Sequence, residues 1–128
     1  MILADSSAWV DLLRGTGRGL EFSALLLSDT PLVATEPVLM ELLAGARSDQ
    51  EYERVRDLVM SVGWIAIDPA SDFEAAAKIY ASCRRKGITP RGLTDCLIAA
   101  VAMRAGASLL SGDKDFESIA SVVPLSLI

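Results

Sequence analysis

The chain has 128 residues, enough for one domain, 1–128, that buries about two-thirds of its unfolded surface without disulfide or metal staples. More than half of the residues are apolar, which excludes disorder. No apolar run approaches the roughly 20 residues of a membrane helix, and the start lacks the pattern of an export signal, so a cytoplasmic protein is expected. Twelve Lys and Arg against seventeen Asp and Glu leave a net charge of −5, which argues against a module that holds nucleic acid tightly by broad phosphate neutralisation.

Met1 to Ala4 is an apolar run too short for a helix. It stops at Asp5, and Ser6 and Ser7 then open an amphipathic segment with Trp9, Leu12 and Leu13 on one side. The pattern predicts a buried strand, an acid at its carboxyl end and a helix. Gly15-Thr-Gly17-Arg-Gly19 is a loop whose spacing fails the dinucleotide fingerprint, and it follows a helix rather than a strand, so it carries no cofactor role. A second apolar helix is expected over 20–28, with Phe22, Leu25, Leu26 and Leu27, then a turn at Asp29-Thr-Pro31 and a short strand over 32–34. Thr35, Glu36 and Pro37 predict a capped helix start, and that helix runs to about Ala44. It carries Glu41 on a stripe of small and apolar residues, with no basic residue at helical spacing.

Ser48-Asp-Gln-Glu51 reads as a capping box opening a helix to about Val62. A third strand is expected over 64–67 and a long helix over 70–86, closed by Gly87. Arg84, Arg85 and Lys86 suit the negative end of that helix, which explains them without RNA. A helix beginning near Leu93-Thr94-Asp95 ends at Gly106. A fourth strand over 108–110 runs into Ser111-Gly112-Asp113-Lys114-Asp115-Phe116, so again a strand ends at carboxylates. A short helix to about Ser121 and a last strand over 124–128 complete the pattern. Cys83 and Cys96 fall within helices, far from any zinc-ligand spacing, and are expected to be buried free thiols.

Strands alternating with helices predict a parallel α/β sheet, with the loops after strands one and four on the same edge. If those strands are neighbours, Asp5 meets Asp113 or Asp115, and Asp95 can reach them. Holding two carboxylates about 4 Å apart costs roughly 4 kcal/mol at an effective dielectric of about 20. The chain has no histidine, which excludes Ser-His-Asp and Cys-His nucleophiles and histidine-based metal sites. No histidine, and no basic residue at helical spacing, relieves the crowding, whereas a divalent cation would. Ligation by oxygen alone suits Mg²⁺ or Mn²⁺.

Four stretches in order resemble the PIN domain and, within it, the VapC-type toxins of bacterial toxin–antitoxin pairs. They are Ile2-Leu-Ala-Asp5-Ser6-Ser7-Ala-Trp9, Glu41 within Val38-Leu-Met-Glu41-Leu-Leu-Ala-Gly45, Thr94-Asp95-Cys-Leu-Ile98, and Leu109-Leu-Ser111-Gly-Asp113-Lys-Asp115-Phe116. Ser111 stands where the last motif often has threonine. The resemblance implies a sheet of about five strands in the order 3-2-1-4-5, flanked by helices. It implies a metal-dependent endoribonuclease with Asp5, Glu41, Asp95 and Asp113 as its catalytic acids and metal ligands, and Asp115 as a fifth metal candidate. Asp5 and Asp113 are the expected direct ligands. Ser6 and Thr94 are implied as hydroxyl contacts to metal water or phosphate. Arg91, Arg47 and Lys114 are candidate phosphate contacts, weighed against ordinary solvated charge. An RNA substrate, a homodimer, and a VapB-type antitoxin whose C-terminal tail packs on the two early helices and brings a basic residue towards Asp5 and Asp113 are the expected partners. The alternative is a non-catalytic PIN-fold module that binds protein.

Overall fold

The computed structural model describes residues 1–128. Three short strands are apolar enough to be buried whole or nearly so: β1 (Ile2–Ala4), β2 (Leu32–Ala34) and β4 (Ser108–Leu110). Together with β3 (Gly63–Trp64) they form one parallel sheet in the order β3-β2-β1-β4. That is the expected order, less its last strand. The segment expected as strand five touches the sheet through a single parallel bridge, Leu127 to Leu109. Pro124 has no N–H to give a ladder, and only Ser126 and Ile128 bond across to Leu109. Strand three is also shorter than expected. After Trp64 only the Ile65 N–H still reaches β2, at the Ala34 carbonyl. The Ile67 N–H turns instead to the Glu36 carboxylate, 2.9 Å away.

Seven helices surround the sheet: α1 (Ser6–Arg14), α2 (Gly19–Leu26), α3 (Glu36–Ala44), α4 (Asp49–Val59), α5 (Asp72–Arg85), α6 (Leu93–Ala105) and α7 (Asp115–Ala120). Ser48 caps α4 as the pattern predicts, accepting the Glu51 N–H at 3.1 Å, although Glu51 reaches back to the Arg47 N–H rather than to that of Ser48. Thr35 stands at the cap position of α3 without capping it. It is fully buried, and its hydroxyl donates to the Glu36 carboxylate. Helix α6 is apolar around most of its circumference, with Cys96, Ile98, Ala99, Ala100, Val101 and Ala102 all buried, so it is packed on more than one side. Both cysteines are free and buried, and burial pushes the Cys96 thiol up to about 11, which makes it inert near neutral pH.

The early helices spend most of their apolar surface inside. Trp9 and Phe22 meet edge to face with centroids 4.8 Å apart and are almost wholly buried. Leu12, Leu25 and Leu26 pack partly against the same core. What remains outside is Leu13, Leu20 and Leu27, the last two 87% and 88% exposed.

One charged pair is structural. The Asp72 carboxylate, 1% exposed, receives Arg104 Nε and Nη2 at 2.9 Å each and the Asp68 N–H at 2.8 Å, while Nη2 also donates to the Ala66 carbonyl. This fork ties the start of α5 to the last turn of α6. Burial alone would raise the Asp72 pKa, but the Arg104 and Asp68 donors outweigh it and hold the carboxyl below its usual value. Its stabilisation is therefore present above the unfolded carboxyl pKa and is lost as pH falls through the lower folded value. Asp72→Ala is expected to cost roughly 2–4 kcal/mol at pH 7, because it strands a guanidinium and a backbone donor. Urea unfolding followed by tryptophan fluorescence checks this, and a loss below about 0.5 kcal/mol would show the pair to be idle.

Candidate metal centre

The site is assembled where β1 and β4 end side by side. Their register sets Ala4 against Leu110, and the Asp5 N–H donates to the Leu110 carbonyl at 3.0 Å. Asp5 and Ser111 are therefore the first residues beyond adjacent strands. Asp5 is only 3% exposed and is the cap of α1: its Oδ1 accepts the Ala8 N–H at 3.0 Å and the Ser7 hydroxyl at 2.7 Å. Its Oδ2 accepts the Ser111 hydroxyl at 2.8 Å. The same two hydroxyls hold the next loop, because Gly112 N–H donates to Ser7 Oγ and Asp113 N–H to Ser111 Oγ, each at 2.9 Å. Asp113 Oδ1 in turn accepts the Asp115 N–H at 2.9 Å. A chain of hydrogen bonds thus runs from Asp5 through Ser111 and Asp113 to Asp115.

A second carboxylate stands behind that loop. Asp11, on α1, accepts the Thr16 hydroxyl and the Arg18 N–H. The glycine-rich turn after α1 closes around it. A Cβ on Gly112 would lie 2.7 Å from Asp11 Oδ2, so the loop bearing Asp113 passes where no side chain fits. Gly17 is under the same constraint and also sits at φ +48°. Arg18 then donates Nη1 to the Ser111 and Ile128 carbonyls and pairs with Glu21.

Asp95, Asp113 and Asp115 each offer a carboxylate oxygen, all within 4.8 Å of one another. Asp5 and Glu41 lie outside that tight triad but face it. Their charges, with those of Asp113 and Asp115, add to burial and push the Asp95 pKa up to about 6. Burial first, and like charge after it, likewise raises Glu41 and Asp5 above their usual values, against the hydrogen bonds they accept. Glu41 has no cation on α3, as expected, and is met by the Ser6 hydroxyl at 3.3 Å. Ser6 therefore positions a carboxylate, whereas the Thr94 hydroxyl bonds to no other group of the chain. Oxygen donors alone, crowded enough to resist ionisation, fit a hard divalent cation.

No basic residue at helical spacing meets these acids, but one from a loop does. Arg91, reached from the loop before α6 rather than along any helix, donates Nη2 to Asp113 Oδ2 and Nε to Asp115 Oδ2, the latter at 2.8 Å. Helical spacing is blind to such a contact, since 22 to 24 positions separate the partners. Ser7, Ser111 and Asp11 were not singled out as site residues. Ser7 and Ser111 carried a signal, as hydroxyl residues just beyond two strand-end positions, while Asp11 carried none. Arg47 lines a groove of about 920 Å³ that begins at Ser6 and Glu41 and also exposes Arg14 and Arg54. Lys114 lines a separate, smaller pocket on the other side of the Asp113 loop.

A sequence model of the PIN domain matches residues 2–122, and the chain belongs to that family. Within it the similarity is to VapC ribonucleases. VapC ribonuclease Mb1587 of Mycobacterium bovis and ribonuclease VapC11 of Mycobacterium tuberculosis are each 43% identical over 128 residues, covering 98% of this chain and 96% of either relative. The fold is shared with VapBC2 of Rickettsia felis, solved on a DNA fragment from its promoter. Its TM-score is 0.78 at 19% identity, over 100% of this chain and 98% of that one. It is shared also with VapC20 of Mycobacterium tuberculosis, a Sarcin-Ricin loop cleaving toxin, with a TM-score of 0.69 at 19% identity over 98% and 99% of the two chains.

The crowding has a measurable cost. Asp95 titrates near 6 in the fold against an ordinary 3.8, so the unfolded chain releases its proton first as pH rises. Asp95 therefore destabilises the metal-stripped protein progressively between about pH 4 and pH 6, by on the order of 2–3 kcal/mol once above that window. In EDTA, the stability difference between Asp95→Asn and wild type should open in the mutant's favour across that window and stay level above it. Equal stability of the two proteins at pH 5 and pH 8 in denaturant titrations would refute the raised Asp95 pKa, and with it the burial and charge crowding that cause it.

Proposed function

We propose that this protein is a divalent-metal-dependent endoribonuclease and the toxin of a two-protein toxin–antitoxin pair. The observation that carries the reading is the convergence of Asp95, Asp113 and Asp115 within 4.8 Å, with Asp5 and Glu41 facing them. Asp95, Asp113 and Asp115 would hold Mg²⁺ or Mn²⁺, with Asp5 and Glu41 completing the anionic wall. A cation there would supply positive charge against the scissile phosphate and lower the pKa of an attacking water.

The chain's own residues do the positioning. Asp5 has three of its acceptor sites filled by Ala8, Ser7 and Ser111, so it fixes the Asp113 loop as well as adding charge. Ser6 orients Glu41. The groove leading from these two residues exposes Arg14, Arg47 and Arg54, none of them in an ion pair with an acid of the chain. In a protein of net charge −5, these arginines balance Asp11, Glu41 and Glu51 of the same groove and give a phosphate backbone local cations to meet beside the acids. No histidine is required, because water and not the RNA's own 2′-hydroxyl is the nucleophile.

The catalytic reading takes its support from the filled acidic positions, and the partner reading from the exposed leucines of α1 and α2. Leu13, Leu20 and Leu27 offer an apolar surface that an antitoxin segment or a second copy of the chain would cover. VapBC2, named for a toxin together with its antitoxin, is built on the same fold.

The experiment is cleavage of single-stranded RNA by the purified chain with Mn²⁺, with EDTA, and after Asp5→Asn or Asp113→Asn. EDTA and both substitutions are expected to lower the rate by roughly 100-fold or more, as loss of a ligand or its support does. Asp5→Asn should leave thermal stability in EDTA at or above wild type, because an amide still caps α1 and removes a charge. Undiminished cleavage by Asp113→Asn, or none by the wild type freed of any partner, would overturn the reading in favour of a non-catalytic binding module.

A further inference from the structure

Arg91 is placed for more than surface solvation. Its side chain is 71% exposed, yet it engages two of the three clustered carboxylates. The engagement is asymmetric. Asp115 Oδ2 receives both Nε and the Arg91 backbone N–H, whereas Asp113 Oδ2 receives only Nη2. On one side of Arg91 is the buried Pro90, and on the other Gly92 leads at once into α6. The tie to Asp115 is thus local and double, and the tie to Asp113 is single and carried by the tip of the side chain. A cation seated among Asp95, Asp113 and Asp115 draws on an Asp113 oxygen and meets the guanidinium positive charge beside it. Both oxygens of Asp113 are already hydrogen-bonded, one to the Asp115 N–H and one to Arg91, while Asp95 accepts no hydrogen bond within the chain.

We propose that Arg91 is a built-in competitor for the divalent cation. Its guanidinium neutralises Asp113 and Asp115 until metal enters, then gives up Asp113 while Asp115 keeps it at the rim of the site. The proposal rests on the metal-site reading above and adds what that reading lacks, a residue that sets how tightly the metal is held. Exposure makes the release cheap, because the guanidinium exchanges a carboxylate for water without unpacking anything. The competition is one of charge, so removing the charge should tighten the metal even though it removes a contact from the fold. Once displaced, the guanidinium stands beside the metal where it meets a phosphate, so the same residue weakens metal binding and strengthens RNA binding.

The test is calorimetric titration of Mn²⁺ into the metal-stripped full-length chain, with no RNA, for wild type, Arg91→Gln, Arg91→Lys and Asp113→Asn. Arg91→Gln is expected to bind Mn²⁺ roughly tenfold more tightly than wild type, equivalent to about 1.4 kcal/mol of relieved competition. Arg91→Lys, which keeps the charge but cannot bridge both carboxylates, should fall between them. At saturating Mn²⁺, Arg91→Gln should also raise the KM for single-stranded RNA. Unchanged or weaker Mn²⁺ binding by Arg91→Gln, with wild-type binding present and abolished by Asp113→Asn, would overturn the role of Arg91 and leave the metal site standing. Absence of Mn²⁺ binding by the wild type, or binding that Asp113→Asn does not alter, would overturn the metal site and this proposal together. Circular dichroism of the substituted chains accompanies the titration. Should Arg91→Gln not fold, Arg91→Met, which also removes the charge, takes its place, with affinity equal to or weaker than wild type counting against the competition.

Discussion

The structure depends on a carboxylate placed where two parallel strands end. Asp5 is the last residue before α1, so its Oδ1 is in reach of the first free N–H groups of that helix, and the register of β1 on β4 puts Ser111 beside it. One side chain therefore ends a strand, starts a helix and fixes a loop that is 106 positions away in sequence. An acid that already has three donors is held without freedom to move, which is what a preorganised cation site requires. The cost is burial of charge: desolvation, with the Asp113 charge added, raises the Asp5 pKa against the hydrogen bonds from Ala8, Ser7 and Ser111 that lower it. The fold keeps an unfavourable charge here because neighbouring elements converge on it.

Two arginine–carboxylate contacts in the same molecule show how burial separates structure from function. Asp72, buried at the start of α5, is paired with Arg104 in the last turn of α6, its pKa held down, and every oxygen has a donor. Asp113 and Asp115 meet Arg91 at the open edge, where water competes for the same guanidinium. The first pair is costly to break because it would leave buried groups unsatisfied, and the second is cheap because it would not. An exchangeable cation beside carboxylates suits a site that takes and releases charged ligands, and a buried pair suits a fixed tie between two helices.

The glycine-rich turn after α1 acquires a meaning only through Asp11. Its spacing excluded a dinucleotide loop, and in the fold it wraps the Asp11 carboxylate, which in turn packs under Gly112. The turn thus supports the Asp113 loop from behind, and Arg18 holds the same loop from its carbonyl side. The geometry of the acidic cluster is carried by a loop that Ser7 and Asp11 of α1 hold from behind.

The sequence by itself determined the alternation of strands and helices, the strand-end positions of Asp5 and Asp113, the oxygen-only chemistry of the site and the absence of any histidine route. Those features are local, because hydrophobic periodicity, capping residues and residue types are read within a few positions. Only the tertiary structure decided what surrounds them. It shortened strand three and reduced strand five to one bridge, since ladder bonds depend on what the neighbouring edge offers and not on how apolar a segment is. It turned Thr35 from a helix cap into a buried donor to Glu36, because burial closed the alternative. It brought Ser7 and Ser111 onto Asp5, made core of Trp9 and Phe22 while leaving Leu13, Leu20 and Leu27 outside, and laid Arg91 across Asp113 and Asp115. Contacts between residues tens of positions apart are set by strand register and loop path, and a pattern that repeats every two or every 3.6 residues carries no record of them.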